Sequence, residues 1–88
     1  MRDDVDTVVT FLVSADAEPN LIGSVTGLVA EHGLTPLALT MRRREREVHL
    51  DLVQDGISLE RGATLAEKIR SIVPVRSVEL RYTSKIRD

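Results

Sequence analysis

The 88 residues of this chain are enough for one domain with one hydrophobic core, and the hydrophobic fraction of 42% is typical of a soluble globular protein. The net charge of -2 argues against a nucleic-acid binder, which usually needs a dominant basic field. There is no cysteine, which excludes disulfides and thiolate metal sites, and no apolar run approaches the roughly 20 residues that cross a membrane. We expect one cytoplasmic domain over residues 1–88, with an ordered core at about 6–83 and a polar tail at 84–88.

The first half of the chain predicts a strand followed by a helix. Residues 7–14 are rich in β-branched side chains and apolar on both faces, which favours a central strand. A turn over residues 15–19 leads to a helix that starts near Asn20, a favourable N-cap residue, and ends at Gly33. Its apolar positions recur with helical spacing at Leu21, Ile22, Val25, Leu28 and Val29.

The second half predicts a hairpin, a second helix and a last strand. Residues 34–42 alternate in polarity, and Pro36 suits an edge strand because it cannot donate to a ladder. A charged hairpin tip is expected at about residues 43–45, before a strand with Val48, Leu50 and Leu52 pointing inward. The second helix is expected to begin at an N-cap Ser58 and to end at Pro74. Its predicted buried stripe is Leu65, Ile69, Ile72 and Val73, and the inward residues of the final strand, 75–82, are Val78, Leu80 and Tyr82.

The order β-α-β-β-α-β predicts an α+β, ferredoxin-like fold. Two right-handed crossovers would build a four-stranded antiparallel sheet with both helices on one face. The first and third strands are expected to be central, and the second and fourth are expected at the edges.

Catalytic chemistry is not expected, since no arrangement of nucleophile and base emerges. His32 lies near the end of the first helix and could bind a ligand. The favoured interpretation is that it shields the edge of the core and interacts favourably with the helix C-terminus. His49 and Asp51 share the outer face of a strand, but no third metal ligand is evident, so a solvated sheet face is favoured. No catalytic residue, metal site or cofactor is therefore predicted.

The one basic cluster is the segment RRRER at residues 42–46. It could contact phosphate or an acidic partner, although a solvated hairpin tip that discourages edge-to-edge aggregation is the favoured interpretation. RNA-binding relatives of this fold stack bases on aromatic residues of the central strands. Those strands offer only Phe11, which is expected to face the core, so nucleic acid is not predicted as a partner.

Two features of the first helix suggest binding. Free backbone N–H groups at its start attract a carboxylate, so the turn before it is the natural site for an α-amino acid. Opposite the apolar stripe, Gly23, Thr26, Gly27 and Ala30 form a bare face that another chain could approach closely, with chance composition as the alternative.

Residues 16–41 resemble the ACT domain, a βαββαβ module that commonly senses amino acids. The resemblance is closest to the regulatory small subunit of acetohydroxyacid (acetolactate) synthase, whose helix typically reads V-T-G-L-F and ends at Arg/His-Gly. The matching residues here are Asp16, Pro19-Asn20, Leu21-Ile22, Val25-Thr26-Gly27-Leu28-Val29 and His32-Gly33.

This resemblance implies a non-catalytic regulatory subunit that pairs with itself and activates a thiamine-diphosphate-dependent catalytic subunit of branched-chain amino acid biosynthesis. Valine-binding members usually carry asparagine, glycine and asparagine at the positions of Ala17, Asn20 and Thr35, so the short form without strong valine control is implied. The predicted ligand-binding residues are Ala17, Glu18, Asn20, Leu21, Ile22 and Thr35, and the predicted interface residues are Gly23, Gly27, Leu37, Leu39 and Met41.

Two alternatives stay open. The chain could be a free-standing ACT sensor that binds an amino acid at a homodimer interface. It could also be a nucleic-acid module that uses the arginines of residues 42–46.

Overall fold

The sequence folds into four strands and two helices in the computed structural model, which describes residues 7–84. In chain order the elements are β1 (Thr7–Asp16), α1 (Leu21–Glu31), β2 (Ala38–Arg44), β3 (Glu47–Asp55), α2 (Leu59–Arg70) and β4 (Val75–Ser84). β4 continues two residues beyond the predicted end at Tyr82, because Thr83 and Ser84 still pair with the start of β1. The rest of the predicted tail, residues 85–88, lies outside the described residues.

The four strands form one sheet in the order β2-β3-β1-β4, and every neighbouring pair is antiparallel. Each helix therefore joins two parallel strands that have another strand between them. Phe11 marks the centre of the sheet, since it lies opposite Leu52 on one side and Leu80 on the other. The predicted ferredoxin-like fold is confirmed, with β1 and β3 central and β2 and β4 at the edges.

The hydrophobic core lies between the inner face of the sheet and the two helices. Phe11 is fully buried there, as predicted, beside residues of β3 and of both helices. The buried positions of β1 and β3 alternate along each strand, which is the period expected for a sheet covered on one face. The core is almost entirely aliphatic, and its members are Val9, Phe11, Val13, Ala15, Leu21, Val25, Val29, Val48, Leu50, Leu52, Ile57, Leu65, Ala66, Ile69 and Val78.

The helix boundaries follow the predicted signals at three of four ends. α1 begins after Asn20 and stops before Gly33, whose φ of 71° is the left-handed conformation that glycine adopts freely. The Ser58 side chain caps α2 by accepting a hydrogen bond from the Arg61 N–H at 3.1 Å. The end of α2 was predicted wrongly. The helix stops at Arg70, so Val73 lies beyond it and is 95% exposed instead of joining the buried stripe.

The β2–β3 hairpin is tighter than predicted. Arg43 and Arg44 belong to β2, and the turn consists of Glu45 and Arg46 alone. Glu45 has a φ of 58°, the left-handed conformation that a two-residue turn commonly requires. Extending both strands to this tip carries the arginines of β2 up to the level of the turn before α1.

Candidate ligand-binding site

A pocket of about 360 Å³ lies between the start of α1 and the end of the β2–β3 hairpin. Its volume is near the lower limit for small-molecule sites, about 300 Å³, and so suits a ligand as small as an amino acid. Apolar side chains supply most of its wall, and charged side chains stand at its rim. The lining residues are Ala17, Glu18, Pro19, Leu21, Ile22, Met41, Arg43, Glu45, Arg46 and Val48.

Backbone hydrogen bonds fix the turn that forms one side of this pocket. The Ala17 N–H donates to the Arg46 carbonyl at 2.9 Å, which ties the turn to the hairpin tip. The preceding residue, Asp16, donates its N–H to the Pro74 carbonyl at 2.9 Å. The turn is thus held on both sides, and the pocket is bounded by anchored backbone.

The N-terminus of α1 opens beside the pocket without a side-chain cap. The Asn20 side chain makes no capping hydrogen bond, and the first turn contains no acidic residue. Within residues 7–84, the N–H groups of Ile22 and Gly23 find no protein acceptor, whereas Ser24 donates to the Asn20 carbonyl at 3.0 Å. By contrast α2 has both a capping Ser58 and an acidic first-turn residue. Free N–H groups and the helix dipole together favour an anion at the start of α1.

The rim of the pocket carries both signs of charge. The Arg43 Nε donates to the Glu45 carbonyl at 2.8 Å, which holds this guanidinium at the hairpin tip. In the part of the chain that the structure describes, neither Arg43 nor Arg46 has a carboxylate within 4.0 Å. Glu18 brings a carboxylate to the same rim. Positive and negative groups around an apolar wall are the complement of a zwitterion with an apolar side chain.

Four of the six predicted ligand residues, Ala17, Glu18, Leu21 and Ile22, line the pocket. Asn20 lies at the helix start but is not among the lining residues.

Thr35 is separated from the other predicted ligand residues. It follows α1, at the opposite end of the sheet, where its carbonyl accepts a hydrogen bond from the Gln54 Nε2 at 3.1 Å. A single copy of the chain therefore does not bring Thr35 to the pocket.

Sequence reasoning missed the hairpin side of the pocket, including Arg43, Arg46 and Val48. The alternation of side chains along β2 could have predicted that Arg43 lies on the same face as the core. Met41 pairs with Leu50 and Arg43 pairs with Val48, so both share the inner face of the sheet with core residues of β3. Because the edge strand has no helix over it, this inner face is accessible at Met41, which is 47% exposed.

The five predicted interface residues are all on the surface of the described chain. A Cβ placed on Gly23 or Gly27 would meet no atom within 4 Å, and both lie along an open groove between α1 and α2. Leu37, Leu39 and Met41 are 56%, 36% and 47% exposed along β2, which is exposed over its whole length.

The two histidines take up the structural positions favoured from the sequence. His32 is the C-cap of α1, and its Nδ1 lies 2.9 Å from the Leu28 carbonyl. His49 lies on the outer face of the sheet, with its Nδ1 3.3 Å from the Ser14 hydroxyl. No cluster of three or more metal-ligating side chains occurs between residues 7 and 84. Over the same range, neither helix has the length and apolarity needed to cross a membrane.

Comparison with known families matches nearly the whole chain to one family. A family model described as an ACT-like domain matches residues 2–86. The chain belongs to the ACT-like domain family. ACT domains are typically regulatory modules that bind amino acids. No curated protein matches the sequence.

Solved structures resemble this ACT-like domain at low sequence identity. The ACT domain from GTP pyrophosphokinase of Chlorobium tepidum superimposes with a TM-score of 0.76 at 14% identity, over 86% of this chain and 99% of that one. The ligand-free regulatory subunit of aspartate kinase from Thermus thermophilus gives a TM-score of 0.68 at 15% identity, over 89% of this chain and 52% of that one. An ACT domain protein from Streptococcus pneumoniae gives 0.65 at 13% identity, with 90% of each chain covered. These similarities show the fold alone, so the link to acetohydroxyacid synthase stays a prediction.

Proposed function

We propose that this ACT-like domain is a non-catalytic regulatory module that binds a small α-amino acid and works as a homodimer. The observation that carries the proposal is the pocket of about 360 Å³ at the start of α1, at the position where the sequence predicted an amino-acid site. A regulatory module needs a ligand site and a surface that passes the signal on, and the exposed residues of β2 and α1 supply candidates for that surface.

The ligand would be held through its charged ends. Its carboxylate would accept hydrogen bonds from the free N–H groups of Ile22 and Gly23, where the helix dipole favours negative charge. Its ammonium group would face the Glu18 carboxylate, and its side chain would pack against Leu21 and Met41. The pocket is small, so we expect an aliphatic side chain to fit better than an aromatic one.

A second copy would complete both the sheet and the pocket. β2 is an exposed edge, and pairing it antiparallel with β2 of another copy would extend the sheet to eight strands. In such a pair the start of one β2 lies beside the end of the other. Thr35 of the second copy would then approach Arg43 of the first, which would bring this predicted ligand residue to the pocket that one copy places far from it. Leu37, Leu39 and Met41 would lie along this interface.

Thermal unfolding of the purified chain in the presence of each of the twenty amino acids tests the proposal, with sedimentation to count the copies. We expect one or a few aliphatic amino acids to raise the melting temperature of a dimer. The variant Ile22→Trp, which fills the pocket, should lose this shift, whereas Leu59→Trp should keep it, because Leu59 is 59% exposed at the start of α2, at the end of the sheet away from the pocket. A monomer that no amino acid stabilises would contradict the proposal.

A second candidate is the activation of an acetohydroxyacid synthase catalytic subunit. The bare face of α1 favours it, since Gly23 and Gly27 lie within the segment that resembles the small subunit of that enzyme and would let a partner approach closely. Its test is acetolactate formation by a purified catalytic subunit with and without this chain. A several-fold increase that Gly27→Leu removes would support this candidate, and an unchanged rate would refute it.

A further inference from the structure

The outer face of the β2–β3 hairpin carries a second cluster of basic residues, separate from the amino-acid pocket. Arg42 and Arg44 alternate with Arg43 along β2, so their side chains lie on the sheet face away from the helices. Arg42 lies directly opposite His49 in the neighbouring strand. Arg42, Arg44 and His49, together with Arg43 at its edge, line a concave surface of about 300 Å³.

Two carboxylates share the outer face with this cluster, since Glu47 lies opposite Arg44 and Asp51 follows His49 by two residues along β3. Arg76 of β4 contacts Asp16 at 2.8 Å and reaches Glu47 at 4.0 Å. Among the described residues, Arg42 and Arg44 have no carboxylate within 4.0 Å. The hairpin thus holds two exposed guanidinium groups that form no ion pair with these neighbouring carboxylates, in a chain whose net charge is -2.

His49 adds a third group to the cluster. Its Nδ1 lies 3.3 Å from the Ser14 hydroxyl, which leaves the Nε2 atom of the same exposed ring for a ligand. A ring tethered in this way loses less freedom when it binds than an untethered side chain does.

We propose that Arg42, Arg44 and His49 form a site for a small oligophosphate anion, either inorganic or as the phosphate chain of a nucleotide. Two residues along a strand span about 6.6 Å, which places two guanidinium groups within reach of successive phosphates of one chain. Guanidinium binds phosphate oxygens through paired N–H donors, and an oligophosphate concentrates several charges in one concave surface.

A nucleic-acid strand fits this surface less well. Single-stranded binders stack bases on exposed aromatic side chains. The two aromatic residues are not available on this face, because Phe11 is fully buried and the Tyr82 ring packs over Gly62 of α2, on the other side of the sheet. The basic surface is also confined to one hairpin.

Calorimetric titration of the full chain with tripolyphosphate, ATP and a short single-stranded oligonucleotide tests this site. The double variant Arg42→Gln/Arg44→Gln should weaken tripolyphosphate binding by about tenfold or more, because it removes two charge-assisted contacts. The control Lys68→Gln/Arg81→Gln removes the same number of charges from exposed positions outside the cluster and should change the affinity by less than about twofold. Equal affinity for tripolyphosphate and ATP would identify the phosphate chain as the recognised group, and tighter ATP binding would identify a nucleotide.

The inference can be tested separately from the proposed function, because Arg42, Arg44 and His49 lie on the outer face of the sheet and only Arg43 borders both surfaces. The Arg42→Gln/Arg44→Gln variant should keep its stabilisation by an amino acid, and Ile22→Trp should keep its affinity for tripolyphosphate. The inference is overturned by three results: no binding of tripolyphosphate or ATP at low salt, equal losses in the two double variants, or tighter binding of the oligonucleotide than of either small ligand.

Discussion

Replacement of Gly27 by alanine is expected to stabilise the isolated domain. Gly27 lies in the interior of α1, where glycine is about 1 kcal/mol less favourable than alanine because it restricts the unfolded chain least. An added Cβ at this position would meet no atom within 4 Å, so no steric cost offsets the gain. The whole difference in helix propensity should therefore appear in the free energy of unfolding.

The expected magnitude is large enough to measure by thermal or urea denaturation. For a domain of 88 residues, a gain of about 1 kcal/mol corresponds to a rise of about 4–8 °C in Tm. Gly23 has the same open surroundings, but it lies in the first turn of α1 and one turn from Gly27, so Gly23→Ala should raise Tm by less and the two gains should not add in full. Gly33→Ala is the matched control. Its φ of 71° is strained for alanine, and the variant should lose about 1 kcal/mol instead.

The Gly27→Ala variant also shows whether the bare face of α1 contacts a partner. A stabilised Gly27→Ala variant that also loses activation of its partner would mean that the face is open in the free domain and covered in the complex. A Gly27→Ala variant with a lower Tm than the parent would refute the reasoning, since it would mean that the added methyl group meets an atom in the folded protein.

Four other substitutions test individual contacts by urea denaturation. Ser58→Ala should lower the free energy of unfolding by about 1 kcal/mol because it removes the side-chain cap of α2. Asn20→Ala should lower it much less, since the Asn20 side chain makes no capping hydrogen bond. Equal losses in the two variants would refute this comparison. Phe11→Ala should cost about 3–5 kcal/mol because the ring is fully buried, and a smaller loss would mean that the core collapses around the gap. Gln54→Met should change the free energy of unfolding by less than about 1 kcal/mol. It removes the two hydrogen bonds that the Gln54 Nε2 donates, but it also removes a buried Oε1 that has no partner among the described residues. A loss above about 2 kcal/mol would show that the amide is required.

The sequence predicted the fold well because the elements that decide it carry strong local signals. β1 is apolar on both faces and became a central strand, and the glycine after α1 adopts the left-handed conformation that ends a helix. The end of α2 was mispredicted because Ile72 and Val73 continue an apolar pattern past the last helical residue. The backbone turns after Arg70 to reach β4, and this tertiary constraint leaves Val73 exposed.

The candidate site was predicted only on the side that lies in one continuous segment. The turn and the start of α1 are adjacent in sequence, so their residues could be named from local reasoning. Arg43 and Val48 reach the same pocket through the pairing of β2 with β3, and sequence separation hid that contact. Thr35 stays a prediction, because it lies at the far end of the sheet in one copy and only the proposed pairing of two copies would bring it to the pocket.

The edge strand β2 connects the proposed amino-acid site, the proposed phosphate site and the proposed dimer interface. Met41 and Arg43 face the proposed amino-acid pocket, Arg42 and Arg44 face the outer surface, and β2 lies at the edge of the sheet, where a second copy could pair with it. Because neighbouring residues of a strand point to opposite faces, a ligand that fixes the inner side chains also restricts the backbone that would form the dimer. Amino-acid binding and dimerisation should therefore strengthen each other, and this coupling would be reciprocal. A dimer whose dissociation constant is unchanged by a saturating amino acid would show that the strand does not couple the two events.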